Sequence, residues 1–452
     1  MLNRSIFRQY DIRGIVDQDL NEENLYLIGK GFGTYLRNLD KKTLVIAGDA
    51  RLTTPAYKDA FIKGARETGI DVLDIDFAAS PILYFAIWYY KVDAGTMITA
   101  SHNPSNYNGI KLNLGLGSVY GEEIQKIYEI IASRKFATGS GKLTHDRKVI
   151  PYYHDYIVDN IKMTRPLKIV VDGGNGAGGP FLPGILRDLG CDVTEIYCEP
   201  DGTFPNHHPD PTVLANNKDL IAKVLELKAD VGFGLDGDAD RLGVIDEKGN
   251  MLYGDQILNI IARDFLEKNP GETVIADVKS SKNLYDDIAK HGGVPVMFKT
   301  GHANIKNEMK DKGIKVGGEL SGHVFLGDRY LGFDDAIYVA CRFAEIAAKK
   351  DIPVSRFLED QPKMFNTPEI HYHVPEAKKF KIVDQIRDAF IAEGYEAIAI
   401  DGVRVTFKDG WGLCRASNTT PVLVLRYEAE TEARMNEIKA LFEKKLDEFA
   451  KQ

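Results

Sequence analysis

Two short stretches hold side chains that could do chemistry. In Thr99-Ala-Ser-His-Asn-Pro104 a hydroxyl, that of Ser101, follows the apolar pair Met97-Ile98, sits between a small Ala and a His, and leaves through a proline. A plain turn is served by Asn-Gly or Asp-Gly. This layout suits an exposed nucleophile at the end of a strand, and on the hexapeptide alone a polar loop that happens to contain Ser stays open. In Asp236-Gly-Asp238-Ala-Asp240-Arg241 three carboxylates alternate along a tight loop. They repel one another unless a hard cation sits between them, and three oxygen ligands leave Mg²⁺ with positions open for an oxygen of a reacting group.

Two rival readings of the acidic loop fail on spacing. Asp236, Asp238, Asp240 and Glu247 match ligand positions of an EF-hand, but Arg241 stands where that loop needs Gly for its sharp turn, and both flanks read as strands. In an aspartyl-phosphate hydrolase the first Asp after a strand is the nucleophile, with a Thr or Val two residues after the second Asp. Here Asp240 takes that place and Arg241 follows.

The elements that must position these loops form a repeat. Thr43-Leu-Val-Ile-Ala47, Lys168-Ile-Val-Val171 and Glu272-Thr-Val-Ile-Ala276 are β-branched runs ending in turn residues and followed by helix-compatible segments, as buried parallel strands require. Downstream of each, a second run opens into a polar loop. Gly95-Thr-Met-Ile98 leads to the Ser101 loop, Asp230-Val-Gly-Phe-Gly-Leu235 to the acidic loop, and Gly313-Ile-Lys-Val316 to Gly317-Gly-Glu-Leu-Ser-Gly-His323. Three matches in one order predict three related α/β domains with mixed sheets, whose carboxyl-edge loops surround a central cleft. Past a Pro-containing link at 360–368 the pattern turns antiparallel: His371-Tyr-His-Val374, Ala397-Ile-Ala-Ile-Asp401, Val403-Arg-Val-Thr-Phe407 and Val422-Leu-Val-Leu-Arg426, with helices at 377–393 and 431–449. That is a C-terminal α+β domain. The expected units are 1–150, 151–252, 253–366 and 367–452.

Composition bounds the rest. The 452 residues are 44% hydrophobic and 27% charged, with a net charge of −9. That acidity argues against nucleic-acid or anionic-membrane partners. Cys191, Cys198, Cys341 and Cys414 show no metal spacing, and read as reduced packing residues. The N-terminus has no long apolar stretch and no run approaches a membrane span, so a cytoplasmic protein is expected. His207-His208 and the Gly-rich Asp172-Gly-Gly-Asn-Gly-Ala-Gly-Gly179 are read as an interdomain loop and a strand-to-helix turn, not as a metal pair or a dinucleotide loop.

Taken in order, Phe7-Arg-Gln-Tyr-Asp-Ile-Arg-Gly14, Thr99–Pro104 with Tyr107-Asn-Gly-Ile-Lys111, Asp236–Arg241, Gly318-Glu-Leu-Ser-Gly-His323 and Arg415-Ala-Ser-Asn-Thr419 resemble the N-terminal segment and four signature loops of the α-D-phosphohexomutases. The likeness runs through nearly the whole chain. It implies that Ser101 carries a phosphate and that Asp236, Asp238, Asp240 and an oxygen of that phosphoserine hold Mg²⁺. It places Lys111 and Arg13 beside the transferred phosphoryl group, Lys111 as general acid or base, with His102 and Arg241 in the same catalytic set and His102 orienting the loop. Glu319, Ser321 and His323 would bind sugar hydroxyls, and Arg415, Ser417, Asn418 and Thr419 the phosphate that is not reacting. Tyr10, Lys279 and His302 fall at further substrate positions.

The implied activity interconverts hexose 1- and 6-phosphates through a hexose 1,6-bisphosphate. Such chemistry is mostly positioning and charge neutralisation, which suits these residue types. The sugar loop resembles the phosphomannomutase/phosphoglucomutase branch, with Leu320 where Met is commoner, and Asn418 argues against phosphoglucosamine mutases. Glucose and mannose differ at C2 alone, so use of both is expected. A catalytically silent sugar-phosphate sensor and a phosphatase acting through Asp236 are the competing readings. Oligomeric state has no signal in the sequence.

Overall fold

The computed structural model describes residues 2–417 and 421–450. The repeat is one of topology. In the first sheet Asp71–Phe77, Thr43–Gly48 and Ala94–Ile98 are parallel neighbours, and Ala94–Ile98 pairs antiparallel with Tyr107–Leu114. The second sheet repeats this with Asp192–Ile196, Lys168–Asp172, Val231–Leu235 and an antiparallel Leu242–Asp246. The third does so with Val294–Phe298, Thr273–Asp277, Val316–Gly318 and Val324–Leu326. In each, the chain leaves its third parallel strand at the carboxyl edge, makes a polar loop and returns antiparallel. The first sheet adds Ile12–Ile15 beside Tyr107–Leu114, which brings Arg13 next to the strand that carries Lys111.

Packing fuses the three repeats. A single apolar core joins Val45, Ala47 and Ile82–Ile87 of the first unit, Val171, Phe233 and Val244 of the second, and the helices Gly254–Lys268 and Ala336–Lys349. The outer face of the first sheet has its own core around Phe32, Leu36 and Phe61. There the helices Glu22–Asn38 and Thr54–Arg66 cross with their backbones almost touching: a Cβ on Gly29 would overlap the Phe61 carbonyl, and one on Gly64 the Tyr26 carbonyl.

The C-terminal unit is an antiparallel sheet backed by Lys379–Ala392 and Glu432–Ala450, with a core around Phe390, Leu425 and Phe442. Three expectations need correcting. The run ending at Val316 is not a strand from Gly313, because Gly313 has φ 70° and ends the helix His302–Lys312. The run 397–401 pairs only over Glu396–Ile398, which leaves Asp401 outside the strand. Gly410–Ala416 is a central strand, so Arg415 lies on a strand and not on a short loop. Two glycines hid that strand from the sequence pattern. Both are required by packing, since a Cβ on Gly412 would enter the Phe442 ring and one on Gly410 would meet the Glu428 carbonyl.

Charged side chains fasten this unit to the third. Arg404 Nη1 donates to the carbonyls of Val278 (2.6 Å) and Ser280 (2.8 Å), and Arg426 Nη1 to that of Lys279 (2.7 Å). Glu428 accepts from Ser281 Oγ, the Lys282 amide and Trp411 Nε1. The segment that bears Lys279 is therefore held by the C-terminal sheet.

Gly64→Ala tests the helix crossing. Overpacking of this kind costs about 1–3 kcal/mol, so a lower urea midpoint is expected, and an unchanged midpoint would show that the crossing has slack.

Candidate active site

The loop after Ala94–Ile98 turns sharply because Ser101 takes a left-handed backbone, φ 49°, which for a residue with a Cβ costs on the order of 1–2 kcal/mol. Surrounding hydrogen bonds hold it there. The Ser101 amide donates to Thr99 Oγ1 (2.9 Å), and that hydroxyl donates to Asp49 Oδ2 (2.7 Å). The guanidinium of Arg51 donates to the carbonyls of Ser101, Asn103, Pro104 and Tyr107. So held, Ser101 Oγ donates to Asp236 Oδ2 at 2.8 Å and lies 3.2 Å from His102 Nδ1. Burial and the neighbouring Arg241 and Arg13 keep the His102 imidazole well below its usual range, hence neutral near pH 7.

The acidic loop comes from the equivalent strand of the second unit. Asp236, Asp238 and Asp240 are buried, and one oxygen from each lies within 4.8 Å of the others. Asp236 Oδ1 accepts from the amides of Asp240 and Arg241, which closes the turn. Lys111 Nζ reaches across from the first unit to Asp238 Oδ2 (2.6 Å) and Asp240 Oδ2 (2.5 Å), and Ser80 Oγ donates to Asp238 Oδ2. Burial disfavours the Lys111 ammonium, yet Asp238 and Asp240 overcome it and raise its pKa well above the ordinary value. Burial and the other two acids push Asp236 up. Against the pull of burial, Lys111 holds Asp240 below its ordinary value.

Two buried oxygens, Asp238 Oδ1 and Asp240 Oδ1, have no hydrogen-bond partner among the described residues. Acceptor-only oxygens without donors, in an all-carboxylate set, are what a hard divalent cation such as Mg²⁺ requires, so the residues fit that ion. Asp240, His323 and Asp334 also cluster within 4.8 Å. There the protein itself supplies the cations: Arg241 Nε donates to His323 Nε2 (3.1 Å) and Lys306 Nζ to Asp334 Oδ1 (2.8 Å).

The third loop adds groups from the opposite side. Glu319 Oε1 accepts from the Gly301 amide at 2.7 Å, and Ser321 is half-buried on the same turn. His323 and His302 stack at 5.2 Å, and their Nδ1 atoms lie 3.2 and 3.4 Å from Asp334 Oδ2. Tyr10 donates to the Thr300 carbonyl and sits against His302, which joins the N-terminal segment to the third unit. Arg13 donates to Asn103 Oδ1 (2.7 Å) and pairs with Asp11, so it borders the serine loop.

Lys279 and Arg415 form a second cluster. Lys279 Nζ is 2.9 Å from Glu369 Oε1, and Arg415 Nε is 3.0 Å from Asp401 Oδ2. Burial disfavours the Lys279 ammonium, but Glu369 and Asp277, 2.9 and 3.8 Å from Nζ, outweigh it and raise its pKa. The Ser417 carbonyl accepts from Lys379 Nζ. Asn418 and Thr419 lie outside the described residues.

Sequence reasoning missed Asp49, Arg51, Ser80, Lys306, Asp334, Glu369 and Asp401. A signal existed for the first of them. Each repeat's leading strand ends at or next to an Asp (Asp49, Asp172, Asp277), and two of these acids bind the neighbouring polar loop: Asp49 through Thr99, Asp277 through the Leu320 amide. Asp172 instead accepts from the Gly174 amide and lies 3.0 Å from His207 Nε2, an imidazole–carboxylate contact rather than a metal pair.

Family models describe all four units: phosphoglucomutase/phosphomannomutase α/β/α domain I matches residues 4–138, domain II 151–249, domain III 253–365 and the C-terminal domain 369–445. A phosphomannomutase/phosphoglucomutase of Pseudomonas syringae pv. tomato is 43% identical over 451 residues, 100% of this chain and 97% of that protein. A phosphoglucomutase of Neisseria meningitidis is 44% identical over 97% of this chain and 96% of its own. The crystal structure of a phosphoglucomutase/phosphomannomutase family protein from Burkholderia thailandensis is 40% identical, with a TM-score of 0.94 over 99% of this chain and 98% of that one.

Gly237 marks how tightly the first two loops meet, because a Cβ there would overlap the Ser101 carbonyl oxygen. Gly237→Ala should push the serine away from Asp236 and lower turnover about 100-fold, the scale of an ångström's misplacement. Full activity in this variant would show that the Ser101–Asp236 approach is not needed.

Proposed function

The chain belongs to the phosphoglucomutase/phosphomannomutase family and is a phosphohexomutase, and from that premise we propose that it interconverts the 1- and 6-phosphates of both glucose and mannose through a phosphoserine at Ser101. The observation that carries the reading is the 2.8 Å approach of Ser101 Oγ to Asp236, where loops from two repeats bring a hydroxyl to three buried acids. In the forward step the bond between phosphorus and Ser101 Oγ breaks as one forms to the free hydroxyl of a bound hexose monophosphate, whose proton is lost as Ser101 Oγ gains one, so no net proton is taken up or released. The product is a hexose 1,6-bisphosphate. It turns in the cleft and returns its other phosphate to Ser101.

Each residue has a part that follows from its chemistry. Asp236, Asp238 and Asp240 would hold Mg²⁺, which supplies positive charge beside the phosphoryl oxygens. Lys111, kept protonated by Asp238 and Asp240, adds fixed positive charge and a proton for the departing serine oxygen. Arg13 and Arg241 flank the loop as further cations, and neutral His102 orients the serine. Glu319, Ser321, His323, Tyr10 and His302 present hydroxyl-binding groups from the third unit and the N-terminal segment. Arg415 and Lys279, with Ser417, Asn418 and Thr419, take the phosphate that is not reacting. A guanidinium fork suits that task in either orientation of the sugar. Use of both epimers rests on the resemblance of the sugar loop and on relatives that bear both names.

Incubation with glucose 1-phosphate, with and without a trace of glucose 1,6-bisphosphate, separates the readings: a mutase isomerises it, a sensor leaves it, a phosphatase frees phosphate. Ser101→Ala should lower turnover by roughly 10⁴-fold or more, the scale of removing a nucleophile, with the fold kept by circular dichroism. Wild-type turnover in that variant would end the phosphoserine reading. Arg415→Ala should raise KM for glucose 1-phosphate and mannose 1-phosphate alike, by about 10–100-fold for a lost charge-assisted bond. It should also release more bisphosphate per turnover. Unchanged constants without extra release would place the idle phosphate elsewhere.

A further inference from the structure

Resting on the phosphoserine reading, we propose that Arg51 is a positioning residue for phosphoryl transfer, holding Ser101 in its left-handed turn through the loop's own carbonyls. Arg51 follows the strand Thr43–Gly48, which is the parallel neighbour of the strand that carries the serine loop. Its side chain is 1% exposed. Nη1 donates to Pro104 O (2.7 Å) and Tyr107 O (2.9 Å), and Nη2 to Ser101 O (2.8 Å) and Asn103 O (2.5 Å). The donors of a planar fork thus serve carbonyls spread over seven residues of one loop. An ammonium, a compact charge on a flexible stem, cannot span them.

The guanidinium is itself fixed from behind. Asp49 lies 3.3 Å from Nε and accepts from the Arg51 amide and from the hydroxyls of Thr54 and Thr99. Thr99 in turn receives the Ser101 amide. Both polar ends of the Ser101 residue, its N–H through Thr99 and its C=O through Arg51, are therefore tied to the Asp49–Arg51 pair. Phe204 of the second unit closes over the guanidinium at 5.1 Å. Arg51 makes no hydrogen bond to the Ser101 hydroxyl or to the three acids; Asp238 feels its charge, which Arg51→Lys keeps, so the fork's own contribution is made through the backbone. Buried carbonyls left without donors would turn toward other partners, and the serine would leave the left-handed region with its hydroxyl no longer facing Asp236.

Apart from Tyr10 in the N-terminal segment, the proposed substrate grips lie on other units, so the effect falls on the transfer step. The test uses full-length wild type, Arg51→Lys and Thr99→Val. It reads kcat and KM for glucose 1-phosphate, the rate at which Ser101 takes up phosphate from glucose 1,6-bisphosphate by intact mass and peptide mapping, and the urea midpoint. Arg51→Lys should lose about 100-fold in kcat with KM unchanged, and should phosphorylate Ser101 correspondingly slowly while still folding cooperatively. Thr99→Val should move the same quantities in the same direction by a smaller factor. A wild-type phosphorylation rate in Arg51→Lys overturns the assignment, as does a loss shared between kcat and KM. If Arg51→Lys does not fold, a wild-type rate in Thr99→Val does the same. A wild type that takes no phosphate on Ser101 removes the phosphoserine reading itself, and the role of Arg51 with it.

Discussion

Asp236, Asp238 and Asp240 are together almost wholly shielded from water, and like charges that close repel strongly. Two unit charges about 4 Å apart, at an effective dielectric of about 20, interact by about 4 kcal/mol. The chain must supply compensating charge, and it does so from two units. Lys111 comes from the first sheet and Arg241 from the acidic loop itself, while His323 of the third unit lies 3.7 Å from Asp240 and accepts from Arg241 Nε. Moving the first unit away from the second would strand buried carboxylates, since Lys111 serves both Asp238 and Asp240. The first two repeats are thus locked around the acids by charge, and all three by their shared apolar core.

The fourth unit is attached by different physics. Its own core is separate, and its hold on the third unit is largely polar, through Arg404, Arg426 and Glu428 on one backbone segment. A small apolar contact between Val278, Trp411 and Leu413 adds to it. Interfaces of this polar kind permit relative motion within a chain. In the proposed mechanism the idle phosphate would thereby be gripped by a unit joined largely through polar contacts, and the reacting phosphate would be handled among the buried acids.

Much of this was legible in the sequence where the information is local. The acidic loop, the serine loop and the strands that lead into them carry their chemistry within six residues, and the order of the three repeats places them on one edge. What stayed hidden depends on contacts between distant segments. Arg51 reads as an ordinary turn arginine until the neighbouring strand lays the Ser101 loop over it. Asp334 and Lys306 are separated by 28 residues in sequence and meet only through the folded third unit. The strand Gly410–Ala416 was masked by glycines whose purpose, room for the Phe442 ring, lies in a helix further along the chain.

The parallel order of the sheets has one more consequence, at the end of the strands away from the cleft. Gly190, Gly271, Gly292 and Gly313 sit in the turns that enter Asp192–Ile196, Thr273–Asp277, Val294–Phe298 and Val316–Gly318, and nothing lies within 4 Å of where a Cβ would extend from any of them. Because loops at opposite ends of a parallel strand cannot share a surface, this rim is insulated from the chemistry. It is the natural place for an affinity tag, a fluorophore or an inserted peptide, and a graft there would report on the enzyme without entering its cleft.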